Sequence, residues 1–76
     1  MNDSVNKPEH YTYGKIEVID FIEQVVEYHP PHLGFHIGNV IKYLARAPFK
    51  EDYLENLKKA KWYLDRAIKK ESKSND

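Results

Sequence analysis

Cysteine is absent from this 76-residue chain. That excludes a disulfide, a thiolate zinc site and a cysteine nucleophile. Glycine occurs only three times, at Gly14, Gly34 and Gly38, and none has the GxxxxGK[ST] spacing, so a Walker-type phosphate loop is excluded. No apolar run approaches the roughly 20 residues of a membrane span. Nothing in the opening stretch has the pattern of a signal peptide, and the expected setting is the cytoplasm. A chain this short is one domain and buries only about 60% of its unfolded surface. Such cores rarely supply more than roughly 3–5 kcal/mol without a further staple. With disulfides and thiolate sites excluded, self-association is the staple expected, and a homo-oligomer is anticipated.

Net charge is zero but unevenly placed. Up to Ile41 six acids face two lysines, whereas from Lys42 onward ten lysines and arginines face six acids. The halves thus carry −4 and +4. Head-to-tail assembly, or an anionic ligand on the second half, would use this asymmetry. A general nucleic-acid binder is usually more basic overall, so nucleic acid is not the expected partner.

Residues 1–14, "MNDSVNKPEHYTYG", are polar, broken by Pro8 and Gly14, and predict an extended N-terminal arm. From Lys15 to His29 the apolar Val18, Ile19, Ile22, Val25 and Val26 share one side of a helix, and Glu17, Asp20, Glu23 and Glu27 the other. Pro30 and Pro31 end it, because proline lacks the amide donor and restricts its predecessor. A second helix is expected from about Leu33 to Ala47, with Leu33, Ile37, Val40, Ile41 and Leu44 inward, and Pro48 stops it. A third begins near Glu51, turning Leu54, Leu57, Ala60, Leu64, Ala67 and Ile68 inward. No strand is expected. The fold class is therefore all-α: a three-helix domain over 15–70, preceded by the arm and followed by a fraying tail, 71–76.

The second helix carries the first anomaly. His36, Asn39, Tyr43 and Arg46 recur at spacings of three, four and three, with Lys42 beside them. They form a stripe opposite the apolar face that holds no carboxylate. A solvated face would mix Glu with Lys. This one combines a guanidinium fork for phosphate, an ammonium and a phenol that can stack. On the third helix Trp62 points away from the Leu54, Leu57 and Leu64 side, among Lys58, Lys59 and Arg66. An indole among cations suits a stacked base, a subunit contact or the arm folded over it. His29, His32 and His36 are interrupted by two prolines and have no thiolate companion, so no metal is expected there. The acids of the first helix would hold Mg²⁺ only opposite a second acidic helix, as in the helical nucleotide pyrophosphohydrolases, and the third helix offers no matching cluster.

Four ordered blocks, "KPEHY", "IEVIDFIE", "GNVIKYLARAPFK" and "NLKKAKWYL", together resemble a small phage-encoded family catalogued mainly as a domain of unknown function. Its pattern is KPxHY, IExID, GNxxKYLxRAxxK and DLxKAxWYL, and the resemblance runs from Lys7 to about Ile68. One version of the domain occurs in a coliphage nucleotide kinase that lacks a Walker motif. The resemblance implies phage origin and nucleotide phosphates as ligands. It picks out Lys7, His10 and Tyr11 in the arm, Asn39, Lys42, Tyr43, Arg46 and Lys50 in the second helix and its exit, and Lys59, Trp62 and Tyr63 in the third. One departure is Asn56, where the family usually has Asp.

These readings converge on a nucleotide-binding protein of the infected bacterial cytoplasm, holding and sequestering a phosphorylated nucleotide, including cyclic or signalling forms, against host defence. The anticipated ligand contacts are Lys7, His10, Tyr11, His36, Asn39, Lys42, Tyr43, Arg46, Lys50, Lys59 and Trp62, with no cofactor and no catalytic residue assigned. The alternatives are a minimal nucleoside monophosphate kinase acting as an oligomer, and an adaptor that inhibits a host protein through Trp62 and the tyrosines.

Overall fold

The computed structural model describes residues 12–74. The all-α expectation holds, with one small addition. A two-stranded antiparallel hairpin, β1 (Thr12–Tyr13) and β2 (Ile16–Glu17), precedes the helices. Gly14 turns it at φ +62°, a left-handed conformation that costs glycine nothing and fits a two-residue hairpin loop. Two residues per strand are too few for an alternation to be legible, which is why the sequence pattern showed an arm there. The Tyr13 hydroxyl donates to the Ala45 carbonyl, and its ring meets Phe49 edge-on at 5.7 Å. The hairpin is thereby pinned across the exit of the second helix.

Helix α1 spans Val18–Val26, shorter than the periodicity suggested, and ends in turns before Pro30. A 3-10 turn, Pro31–Leu33, leads into α2 (Gly34–Arg46) and buries Leu33. A second 3-10 turn, Ala47–Phe49, carries the proline stop. Helix α3 (Tyr53–Ser74) runs through most of the tail that was expected to fray. At 1.5 Å per residue it is about 33 Å long.

The two helix pairs pack by close approach. At the α1–α2 contact a Cβ on Gly38 would lie 3.2 Å from Ile22 Cγ2, so the lone hydrogen lets the backbones near one another. At the α2–α3 seam the buried residues are Ala47, Ala60 and Ala67, at 1%, 3% and 4% exposure, together with Asn56. Of the inward face expected for α3, Ala60 and Ala67 are buried and Leu57 is half-buried, whereas the rest of it is corrected. Leu54, Leu64 and Ile68 are exposed, and the alanine side of the helix makes the contact. Counted at about 100° per residue, the two sides differ by roughly a right angle. Small side chains win the seam because they admit a neighbouring backbone, and Leu54, Leu64 and Ile68 are left for another surface.

Candidate functional site

The stripe on α2 is not turned to solvent, as its position opposite the apolar residues suggested. His36, Asn39, Tyr43 and Arg46 are half-buried along the seam with α3. The reason is that α2 has a neighbour on each side, α1 at Gly38 and α3 at the stripe. A thirteen-residue helix between two others cannot keep a free face opposite its core.

Tyr43 organises this seam. Its ring stacks on Tyr63 of α3, with centroids 5.9 Å apart and planes 15° from parallel. Around it stand three cations: Lys42 Nζ at 4.5 Å from the centroid, Lys59 Nζ at 5.6 Å and the Arg46 guanidinium carbon at 5.7 Å. Each such contact offsets only about 0.5–1 kcal/mol of the mutual repulsion. Among the described residues none of Lys42, Arg46, Lys50 or Lys59 lies within 4.0 Å of a carboxylate oxygen. Arg46 Nε is buried with no hydrogen-bond partner. Tyr43 therefore gathers cations, and its ring face is taken by Tyr63.

Next to this cluster opens a cleft of about 370 Å³ lined by Arg46, Lys50, Lys59, Glu51, Asp52, Glu55 and Asn56. The proline stop at Pro48 places Lys50 there, and the first two turns of α3 bring Glu55, Asn56 and Lys59 opposite. Asn56, 6% exposed, donates its side-chain amide to the Asp52 carbonyl at 2.9 Å, and its backbone N–H donates to the same oxygen at 3.0 Å. It closes the first turn of α3 at the cleft floor. The carboxylates Glu51, Asp52 and Glu55 were missed by the sequence reading, since charged residues near a helix start are commonplace. Only the fold sets them beside Arg46.

Farther along the seam the residues separate into a second group. Asn39 donates its amide to the Phe35 carbonyl at 2.8 Å, which ties that donor to its own helix. His36 has Nδ1 buried without a partner. Burial of the imidazole, then the charges of Lys70, Arg66 and His32, hold its pKa below the ordinary 6.5. His32 Nε2 lies 3.3 Å from Glu71 Oε1, a distance for an ion pair, but the angle does not make it a hydrogen bond. Trp62 is 59% exposed and meets Tyr63 edge-on at 5.0 Å. Phe35, 70% exposed, meets the same ring at 5.9 Å.

Of the sequence-derived residues, the structure thus joins Lys42, Tyr43, Arg46, Lys50 and Lys59 at one end of the seam. It places His36 at the other, with Trp62 on the α3 surface next to Tyr63. Lys7, His10 and Tyr11 lie outside the described residues. Among the described residues no three His, Asp or Glu side chains gather as metal ligands would, and no helix is long and apolar enough to cross a membrane.

Neither the curated proteins nor the solved structures yield a match to this chain. A family model described as a protein of unknown function, DUF3310, matches residues 5–65. That span covers the hairpin, α1, α2 and the half of α3 that forms the cation cluster and the cleft, and the chain belongs to the DUF3310 family.

Proposed function

We propose that this protein binds a phosphorylated nucleotide in the cleft between α2 and α3. The observation that carries the reading is the gathering of Lys42, Arg46 and Lys59 around one phenol ring with no carboxylate paired to them among the described residues. Arg46 and Lys59 of this group, with Lys50, line the cleft and can meet an anion there, and the guanidinium of Arg46 can grip a phosphate through two N–H donors. The resemblance of the KPxHY and GNxxKYLxRA blocks to a phage-encoded family supports a phage protein of the infected bacterial cytoplasm. Its role there is to hold a nucleotide, signalling forms included, away from host defence. Exposed apolar side chains on α1 and α3 and the opposite charge of the two halves support action as a homo-oligomer.

Thermal shift followed by calorimetry, across mononucleotides, nucleoside triphosphates and cyclic dinucleotides, tests the proposal. At least one phosphorylated nucleotide raises the melting temperature with its concentration, as mass action requires. If none does, the proposal fails and the exposed Trp62 and Phe35 favour the adaptor reading instead. The carboxylates of the cleft lend some support to the kinase reading, because a carboxylate beside bound phosphate can accept a hydroxyl proton. A coupled phosphotransfer assay with purified protein separates binding from turnover.

A further inference from the structure

The cation cluster at Tyr43 occupies only one end of the seam. On α3 the residues Lys59, Tyr63, Arg66 and Lys70 recur at spacings of four, three and four, so they share one flank of that helix. From Lys59 to Arg66 the axial rise is about 10 Å, and to Lys70 about 16 Å. Tyr63 meets Phe35 and Glu71 lies 3.3 Å from His32, so the stretch of α3 between them, which carries Arg66 and Lys70, runs past His36 at the far end. There too a nitrogen, His36 Nδ1, is buried without a partner, as Arg46 Nε is at the near end. Trp62 lies between the two basic groups and Phe35 beside His36, both rings exposed and edge-on to Tyr63. The order along the surface is cation, aromatic, cation.

A nucleoside mono-, di- or triphosphate puts all its phosphates on one side of the base, and would use one basic group while leaving the other idle. We infer that the α2–α3 surface is built for a nucleotide carrying phosphate on both its 5′ and its 3′ side, with the base against Trp62 and one phosphate at each basic group. This deepens the proposed nucleotide-binding function and rests on it. The same chemistry is found in a free nucleoside 3′,5′-bisphosphate and in each internal unit of a short single strand. Stacking on exposed aromatics with lysine and arginine on the phosphates is the general way single strands are held.

The test compares four probes in one buffer at one salt concentration: adenosine 5′-monophosphate, adenosine 5′-diphosphate, adenosine 3′,5′-bisphosphate and a twelve-residue oligo(dA). Binding is read by calorimetry and by Trp62 emission. The bisphosphate is expected to bind at least tenfold tighter than the 5′-diphosphate, which has comparable charge on one side only. Arg66→Ala should abolish that difference, bringing the bisphosphate down to the affinity of the 5′-diphosphate. Trp62→Phe should retain binding, whereas Trp62→Ala weakens bisphosphate and strand together. A strand that binds tighter still identifies single-stranded nucleic acid as the source of the ligand, and a strand that does not bind identifies the free nucleotide. Equal affinity for the 5′-diphosphate and the bisphosphate overturns the inference and leaves the one-ended nucleotide site standing. Absence of binding by all four, when triphosphates and cyclic dinucleotides also fail, overturns both.

Discussion

Arg46 concentrates the chemistry of the seam at one residue. Its guanidinium lies over Tyr43 at 5.7 Å, its Nε is buried without a partner, and it lines the polar cleft. A charge-assisted contact to phosphate is worth about 1.5–3 kcal/mol, so Arg46→Ala should weaken nucleotide binding by roughly 10- to 150-fold. Lys42→Ala should act in the same direction. Neither removes a core side chain, so melting without ligand should change little; parallel loss of stability and binding would mark these residues as structural. Asn56 makes a second test. Replacing its donating amide by a carboxylate, Asn56→Asp, sets an acceptor against the Asp52 carbonyl and adds negative charge to the cleft. The variant is expected to lose about 1–3 kcal/mol of stability and several-fold affinity for nucleotide, measured by denaturant melts and calorimetry. His36 gives the pH dependence. With its folded pKa below 6.5, the unfolded chain binds more protons as pH falls through that value. Its contribution to stability is present above about pH 6.5 and is lost as pH falls toward the lowered pKa. Melts of the wild type and of His36→Gln between pH 8 and 5 should therefore diverge on the acid side only.

At the scale of elements, the decisive contact is α2 against α3, and it is made by alanine. Ala60 and Ala67 admit the α2 backbone, which brings Tyr63 under Tyr43 and Lys59 to its edge. Ala60→Leu would wedge the helices apart at a cost of about 1–3 kcal/mol. In a domain this size that lowers the melting temperature by roughly 4–20 °C. Because the cations are held on both sides of the seam, nucleotide affinity should fall with it, and Lys61→Leu on the exposed side of α3 serves as the control that should change neither. Legibility in the sequence followed the strength of each local signal. Proline stops and 3.6-residue periodicity marked three helices. The hairpin escaped because four strand residues carry no pattern. On α3 the apolar stripe included Ala60 and Ala67, which are buried, but it also took in Leu54, Leu64 and Ile68, which packing leaves exposed.

At the scale of the molecule, the unusual property among the described residues is how little large apolar surface is covered. Ile19, Leu44, Leu54, Leu64 and Ile68 are all exposed, and an apolar groove of about 460 Å³ opens between the hairpin, α1 and α2, lined by Tyr13, Ile16, Phe21, Ile41 and Leu44 among others. Contiguous apolar surface of this kind marks an interaction site on small proteins. With −4 on one half and +4 on the other, the homo-oligomer proposed above would bring opposite charges together. Light scattering coupled to size exclusion is expected to show an assembly larger than the monomer at micromolar concentration, dissociating on dilution and with a concentration-dependent melting temperature. A stable monomer at high micromolar concentration would remove self-association from the account.

Helical periodicity, the prolines and the absence of cysteine determined, without any coordinates, an all-α chain of three helices with no disulfide. The same reading named the basic and aromatic residues that the seam assembles, because cations and aromatics without neighbouring acids are visible in one dimension. Only the tertiary structure decided what those residues face. Which side of α3 meets α2 depends on how near two backbones can come, and that is a property of the pair, absent from either helix alone. The pairing of Tyr43 with Tyr63, the three cations around one ring and the carboxylates beside Arg46 all follow from that approach. Periodicity reports which side of a helix is apolar, whereas packing selects the side that is small.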